Sequence, residues 1–329
     1  MDAWDEEAAD VAAAALARTA GAGELFALFA RYGCRDFRDI GHKAIYVANA
    51  FRTLQTIGWQ HAEPVLRSLA YALLQHEGDN PAARDAPADR PGRRAAELVG
   101  RFRGDWPGGE PGRAATDELL NLSRTGSDSD LAAAVVERVN AGASPRAVWD
   151  GLFLAAGELL LRQPGIVALH SITTLNALRY AFDTAADDGL RRTLLLQAAA
   201  FVPLFRDALP ARGKVGDTRI DQLGGGGPAR LEAVFATLSK DKPAAAGLAA
   251  DYLRADPAGA GELIATARRL VFLKGTDSHD YKFSSAVMED YRHLSPAVRE
   301  QFLAASVCWL KGSAGPDAPL VGRVRAALG

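Results

Sequence analysis

The distribution of apolar positions along the chain predicts α-helices almost throughout. Alanine, leucine and arginine dominate the 329 residues, and β-branched residues rarely alternate with polar ones. The period of two that marks a half-buried strand is therefore missing, whereas apolar residues recur at helical spacing. Alanine and leucine are also among the strongest helix formers. The pattern predicts an irregular all-α globule of about ten or more helices, folded as one domain over residues 1–329.

Turn and capping residues mark where several of these helices begin and end. Helices over residues 5–19 and 22–32 are separated by glycines. Ser144 followed by Pro145 is a good cap with a proline in the first turn, and it predicts the start of a later helix. The four-glycine run at 224–227 lacks the Lys and Ser/Thr of a phosphate loop, so we expect it to be a hinge.

The segment at about 78–114 departs from the helical pattern. Proline, glycine, arginine and aspartate crowd together there, which predicts a long loop with at most one short helix near 94–103. Loops of this length in a folded domain are often functional. We therefore expect this segment to form a loop or lid over a site.

Composition and charge exclude several classes of protein. Apolar residues make up 48% and charged residues 24% of the chain, as in ordinary folded proteins, and a net charge of −2 argues against a nucleic-acid binder. Cys34 and Cys308 lie in apolar contexts and cannot form a disulfide framework, so we expect free thiols in a reducing compartment. Neither a signal-peptide pattern nor an uninterrupted apolar run of about 18 residues occurs. We expect a soluble, cytoplasmic protein with no membrane or nucleic-acid partner.

Candidate chemistry concentrates in residues 275–293. This stretch predicts a helix capped at 277–278, with His279 and Lys282 one turn apart on the same face. A histidine and a lysine placed together at the start of a helix are not needed to build a core. We predict that they form half of a buried reaction centre, where Asp280 or Glu289 orients His279 or Lys282 through a hydrogen bond.

Three further histidines lie in surroundings that suggest ligation. His42 and His170 occupy mostly apolar helical faces, with Tyr46 continuing the polar stripe of His42, and His61 precedes a helix start. Any one of these histidines taken singly is more often a hydrogen-bonded core residue. Together with His279 in an all-α chain, they favour a buried metal site between helices. Imidazole ligands suit iron, copper, zinc or nickel.

Lys282 needs its own explanation, because a protonated ammonium group repels a metal ion. Burial can lower the lysine pKa and leave a neutral amine that serves as a ligand or base. The neutral amine can also add CO2 to give a carbamate, which is an anionic oxygen ligand. The simpler arrangement is an ion pair with Asp277, Asp280 or Glu289. The sequence leaves these arrangements open.

Four short segments resemble the questin-oxidase-like family, the all-helical oxygenases of aromatic polyketide pathways, and suggest a shortened bacterial member. Residues 279–283 resemble the His-x-x-Lys helix of that family, and residues 170–173 its His-x-x-Thr helix. Residues 42–46 resemble the start of a histidine-containing segment, with Tyr46 in place of its second histidine. Residues 194–198 are similar to a buried helix of the family.

The resemblance implies a mononuclear non-haem Fe(II) site. Its ligands would be His42, His61, His170, His279 and Lys282, the lysine either free or carboxylated with CO2. The implied reaction is O2-dependent oxidation, with ring cleavage, of an aromatic, phenolic or quinone-like small molecule. Lys282, Asp280 and Tyr46 would be its catalytic residues.

Two rival functions remain. His279 and Asp280 form a literal His-Asp pair, which suggests a metal-dependent phosphohydrolase of the HD type with Lys282 binding phosphate. Replacement of Asp280 should abolish metal binding in that case and only weaken it in the oxygenase. The other rival is a non-catalytic helical binding protein that has kept the fold and lost the metal.

Overall fold

The structure is a computed structural model that describes residues 1–76, 78–110 and 112–329. Within these ranges the chain forms sixteen α-helices and no β-strand, apart from an isolated bridge between Glu110 and Ala143. The prediction of an all-α protein is confirmed.

The chain divides into two compact units, each assembled from two stretches of sequence. Unit 1 comprises Met1–Trp149 and Thr174–Phe205, and unit 2 comprises Asp150–Thr173 and Arg206–Gly329. The expectation of a single domain over the whole chain stays a prediction. Each unit is described by itself.

Unit 1 is built around packed helix pairs near the N-terminus. Helix α1 packs against α4, α3 packs against α2 and α4, and α7 packs against α5 and α6. Leu54 and Leu66 are completely buried in this unit. The seven helices are α1 (Glu6–Thr19), α2 (Ala22–Gly33), α3 (His42–Ile57), α4 (Ala62–Leu73), α5 (Arg90–Leu98), α6 (Arg113–Ser123) and α7 (Asp128–Asn140).

Three long helices contain residues of both units. They are α8 (Pro145–Arg162), α9 (Ile166–Thr184) and α10 (Asp188–Ala208). The start of α8 at Pro145 confirms the boundary predicted from Ser144 and Pro145. Residues Asp188–Arg212 are long and apolar enough to cross a membrane by composition, but 67% of their apolar window is buried within the protein. Such burial is usual for a helix in a protein core.

Unit 2 contains the remaining helices. Helix α12 packs against α11 and α15, and α14 packs against α13 and α15. Phe283 of α14 and Phe302 of α15 are completely buried, and Phe302 also contacts Phe153 of α8 edge-on. The six helices are α11 (Leu231–Leu238), α12 (Lys242–Ala255), α13 (Ala260–Lys274), α14 (Ser278–His293), α15 (Arg299–Ser306) and α16 (Pro319–Leu328).

The segment predicted as a loop over 78–114 is partly helical. Its α-helix, α5, begins four residues before the predicted 94–103, because Pro91 lies in the first turn, where proline is tolerated. Trp106 is fully buried, and its indole N–H donates to Asp188 at 2.8 Å. These contacts hold the described part of the segment in place, and its role as a lid stays a prediction. Residue 111 lies outside the described ranges.

The four-glycine run forms a closed turn where a hinge was expected. The backbone N–H groups of Gly225 and Gly226 donate to the Asp251 carboxylate at 2.6 and 2.9 Å, and Arg254 donates to the same group. These hydrogen bonds, that of Gly225 first, lower the pKa of Asp251. The successive amides form an anion-binding turn that the protein fills with its own carboxylate.

Candidate metal centre

The first turn of α14 is built by a capping box. Asp277 Oδ1 accepts from the backbone N–H of His279 at 2.6 Å, and Asp280 Oδ2 accepts from the N–H of Thr276 at 2.9 Å. The predicted cap at residues 277–278 is therefore confirmed, with Asp277 in that position. Because both carboxylates satisfy free amides of the helix start, they fix the turn from which His279 and Lys282 project.

His170 and His279 meet inside unit 2. Their ring centroids are 5.3 Å apart and the rings are inclined at 76°. His170 is 1% exposed, whereas the His279 side chain is 32% exposed. Imidazole nitrogens bind metal ions at about 2.0–2.1 Å, which puts each ring centre roughly 3.2 Å from the ion. For two rings whose Nε2 atoms face the same ion, a 5.3 Å separation corresponds to about 110° between the two ligands.

Three of the predicted ligands share one hydrogen-bonding pattern. Nδ1 of His170 lies 2.7 Å from the carbonyl oxygen one turn earlier, and Nδ1 of His42 lies 2.5 Å from the carbonyl oxygen of Asp39. Nδ1 of His279 lies 3.2 Å from Asp277 Oδ1. Because these oxygens accept, Nδ1 donates, and Nε2 is the nitrogen of each ring that would bind a metal ion. Metal-binding histidines are oriented in this way.

Lys282 is half-buried, one turn beyond His279. Burial lowers the pKa of its ammonium group from 10.5 to about 8, so that about a tenth of the amine is neutral near pH 7. Within the described ranges its Nζ makes no hydrogen bond or ion pair. Asp277 is bound to His279, and Asp280 is paired with Lys311 at 2.8 Å. Neither aspartate forms the ion pair with Lys282 that the sequence had left open.

The position of Asp280 differs from the expected one. Its side chain is 7% exposed, and its carboxylate binds the helix-start amides and Lys311 instead of orienting His279 or Lys282. The capping box explains this, because it turns the carboxylate back along the helix towards the N-terminal amides. The geometry lends no support to a catalytic role, nor to the paired His-Asp ligands of an HD phosphohydrolase.

In unit 1, His42 is the first residue of α3 and follows a left-handed turn. Asp39, Ile40 and Gly41 have φ values of 51°, 47° and 78°. A β-branched residue such as Ile40 rarely adopts this conformation, which marks local strain. The Asp39 carboxylate accepts from the Tyr46 hydroxyl at 3.2 Å. Burial, followed by Asp39, raises the pKa of Tyr46 and keeps it protonated.

His61 also lies in unit 1, in a short 3-10 turn over Trp59–His61. Its side chain is exposed, which gives no support to its predicted role as a ligand. Across the described ranges, no three His, Cys, Asp or Glu side chains come together so as to hold a metal ion. Unit 2 brings together two imidazoles, those of His170 and His279, and Lys282 follows His279 by one helical turn.

The left-handed turn before His42 was not predicted from the sequence. Aspartate and glycine tolerate this conformation better than other residues, so Asp39 and Gly41 carry a weak signal for it. Ile40 carries the opposite signal.

Comparison of the chain with protein-family models, with curated proteins and with solved structures finds no match. The resemblance to the questin-oxidase-like family therefore rests on four short segments, and it stays a prediction.

Proposed function

We propose that this chain is a mononuclear non-haem iron oxygenase that uses O2 to oxidise, with ring cleavage, an aromatic, phenolic or quinone-like small molecule. The observation that carries the proposal is the His170–His279 pair in unit 2. Both rings are held through Nδ1, and Lys282 follows one turn beyond His279 without a partner among the described residues.

The chemistry of these donors favours iron. Non-haem Fe(II) oxygenases characteristically use two histidines and one carboxylate, which leave coordination positions open for O2 and substrate. Lys282 in carboxylated form supplies an anionic oxygen of the same kind as that carboxylate. With His170 and His279 it completes the set of two imidazoles and one anionic oxygen, so the residues fit the metal.

Each residue of the cluster has a distinct task. Bound iron would supply O2 activation and would hold a substrate oxygen. His170 and His279 are neutral ligands whose rings are oriented by a backbone carbonyl and by Asp277. An unmodified Lys282 is a general base for a phenolic hydroxyl, because its pKa of about 8 lies near the working pH. Carboxylated Lys282 is instead a ligand, so the two roles exclude each other.

The test is metal content, measured by mass spectrometry on untagged protein after anaerobic loading with Fe(II) and desalting. We expect about one iron per chain in the wild type, and at least a ten-fold loss of iron affinity in His170→Ala and Lys282→Ala. His61→Ala is the matched control, because this histidine is exposed. The wild type should then consume O2 with phenols or quinones.

Two further results separate the alternatives. A carbamate signal in 13C NMR after equilibration with labelled bicarbonate, absent from Lys282→Ala, would assign the ligand role to Lys282. Two metals per chain that survive Lys282→Ala would favour the phosphohydrolase. A wild type that retains no metal would overturn the oxygenase and leave a helical binding protein.

A further inference from the structure

Unit 1 contains a cavity of about 650 Å3 that the proposed iron chemistry does not use. Its volume lies within the range of about 300–1,000 Å3 that is usual for small-molecule sites. The lining combines the aromatic rings of Trp4 and Tyr32 with the guanidinium group of Arg35 and the buried amide of Gln197.

Arg35 is held between two aromatic rings. Its guanidinium carbon lies 4.1 Å from the centroid of Trp4 and 5.2 Å from that of Tyr32. Nη1 donates to the carbonyl oxygen of Met1 at 3.2 Å. Nε and Nη2 are buried and have no hydrogen-bond partner among the described residues. Buried guanidinium donors without an acceptor are costly, which points to an anion that is bound in function.

The nearest carboxylates do not satisfy Arg35. Asp36 lies 3.6 Å from Nε, but it already accepts from Lys43 Nζ at 2.9 Å and from the backbone N–H of Arg38 at 3.0 Å. Asp2 is 3.9 Å away and accepts from the Tyr32 hydroxyl. Arg35 therefore has carboxylates within 4 Å but keeps two guanidinium nitrogens, Nε and Nη2, without a hydrogen-bond acceptor among the described residues.

The charge of the whole lining is also positive. Four arginines face two aspartates around the cavity. Asp89 is bound by Arg38 at 2.7 Å and Arg93 is bound by Asp85, so one charge of each sign is paired with a residue outside the lining. The charged lining residues are Arg31, Arg35, Arg84, Arg93, Asp2 and Asp89. This surplus occurs in a protein whose net charge is −2, so it is a local feature of the cavity.

Gln197 adds a second unsatisfied group. It is 0% exposed, and its Nε2 donates to the carbonyl oxygen of Cys34 at 2.5 Å. Its Oε1 is buried and finds no donor among the described residues.

We propose that the unit 1 cavity binds a small aromatic anion, whose carboxylate or phosphate group is anchored by Arg35 and whose ring lies against Trp4 or Tyr32. The site is independent of the proposed iron centre. It would serve as a binding site even if the chain carried no metal.

The test is calorimetric titration of the full chain with benzoate, phenyl phosphate and the neutral isostere benzamide. We expect benzamide to bind at least ten-fold more weakly than the better of the two anions, because it lacks the charge that Arg35 requires. Whichever anion binds more tightly identifies the acidic group. Arg35→Gln should weaken that anion at least ten-fold, and Arg269→Gln, at an exposed position in unit 2, should leave its affinity unchanged.

A second variant tests the cavity independently of Arg35→Gln, in case that substitution prevents folding. Ala96 lines the cavity from the exposed side of α5, so Ala96→Trp should block the cavity and leave the core intact. We expect Ala96→Trp to have the same urea midpoint of unfolding as the wild type and to lose anion binding. Equal binding of benzamide and benzoate, unchanged binding in both variants, or no binding of any probe at concentrations on the order of 1 mM would overturn the proposal.

Discussion

His42 in unit 1 and His279 in unit 2 are oriented in the same way by different local structures. Each lies in the first turn of a helix, and its Nδ1 is bonded to the aspartate that lies two or three residues earlier. Helix α14 achieves this with an extended Asp277 and a regular capping box. Helix α3 has no side-chain cap and is preceded by three consecutive left-handed residues.

The difference shows which contacts stabilise each arrangement. A capping box satisfies the free amides of its own helix and stabilises the turn locally. Left-handed non-glycine residues are each unfavourable by about 1–3 kcal/mol and persist only where the surroundings enforce them. The buried ion pair of Asp36 with Lys43 joins the residues on either side of the left-handed turn and can enforce it. The orientation of His42 therefore depends on the tertiary structure, and that of His279 on local sequence.

Gly41→Ala should have the largest effect on stability. Gly41 has φ 78°, and an added Cβ would lie 2.7 Å from Oγ1 of Thr174. The left-handed conformation costs alanine about 1–2 kcal/mol, and overpacking adds about 1–3 kcal/mol. We expect a loss of about 3 kcal/mol in the free energy of unfolding, measured by urea denaturation.

Gly247→Ala is the matched control for this prediction. Gly247 lies within helix α12 of unit 2, has no positive φ, and has open space around its added Cβ. Alanine there should stabilise the protein by up to about 1 kcal/mol. Equal effects of the two substitutions would show that the turn before His42 is not constrained.

Asp277→Ala should have a smaller effect on stability together with a specific effect on metal. Loss of the cap should lower the free energy of unfolding by about 1 kcal/mol. Loss of the His279 Nδ1 partner should weaken iron binding about 10–100-fold if the proposed centre is correct.

Asp241→Ala is the matched control, because it removes the cap of α12, where Asp241 accepts from Ala244 N–H. It should cost similar stability and leave iron binding unchanged, and an equal loss of iron would refute the specific role of Asp277.

The same contrast explains what the sequence could predict. The cap at Asp277, the start of α8 and the shared face of His279 and Lys282 follow from neighbouring residues, and helical periodicity gives the all-α class. The pairing of Asp280 with Lys311 joins residues far apart in the chain. Such contacts depend on how helices pack, which a single sequence does not specify.

Lys282→Met tests the cost of burying an amine in unit 2. Methionine has a similar length and no charge, so below about pH 8 the variant should be more stable than the wild type by about 1 kcal/mol. Between about pH 8 and pH 10.5 the unfolded wild type binds more protons than the folded protein, because the pKa of Lys282 is lower in the folded state. Wild-type stability should therefore rise with pH across this window, and the advantage of the variant should disappear.

Urea denaturation at a series of pH values measures this effect. Lys240→Met, at an exposed position in unit 2, controls for the loss of one positive charge. A difference between Lys282→Met and the wild type that stays constant with pH would contradict the lowered pKa of Lys282.

Ile40→Asn should have the smallest effect, and its sign is informative. Asparagine tolerates the left-handed conformation better than a β-branched residue, but the substitution removes a half-buried apolar side chain. The two contributions oppose each other, so we expect a net stabilisation of about 0.5 kcal/mol. Ile57→Asn, at the exposed end of helix α3, should not stabilise the protein, because Ile57 has no positive φ. Stabilisation by Ile40→Asn alone, measured as a higher urea midpoint, would show that unit 1 stores strain beside His42. Destabilisation by more than about 1 kcal/mol would show that the packing of Ile40 outweighs the strain of the turn.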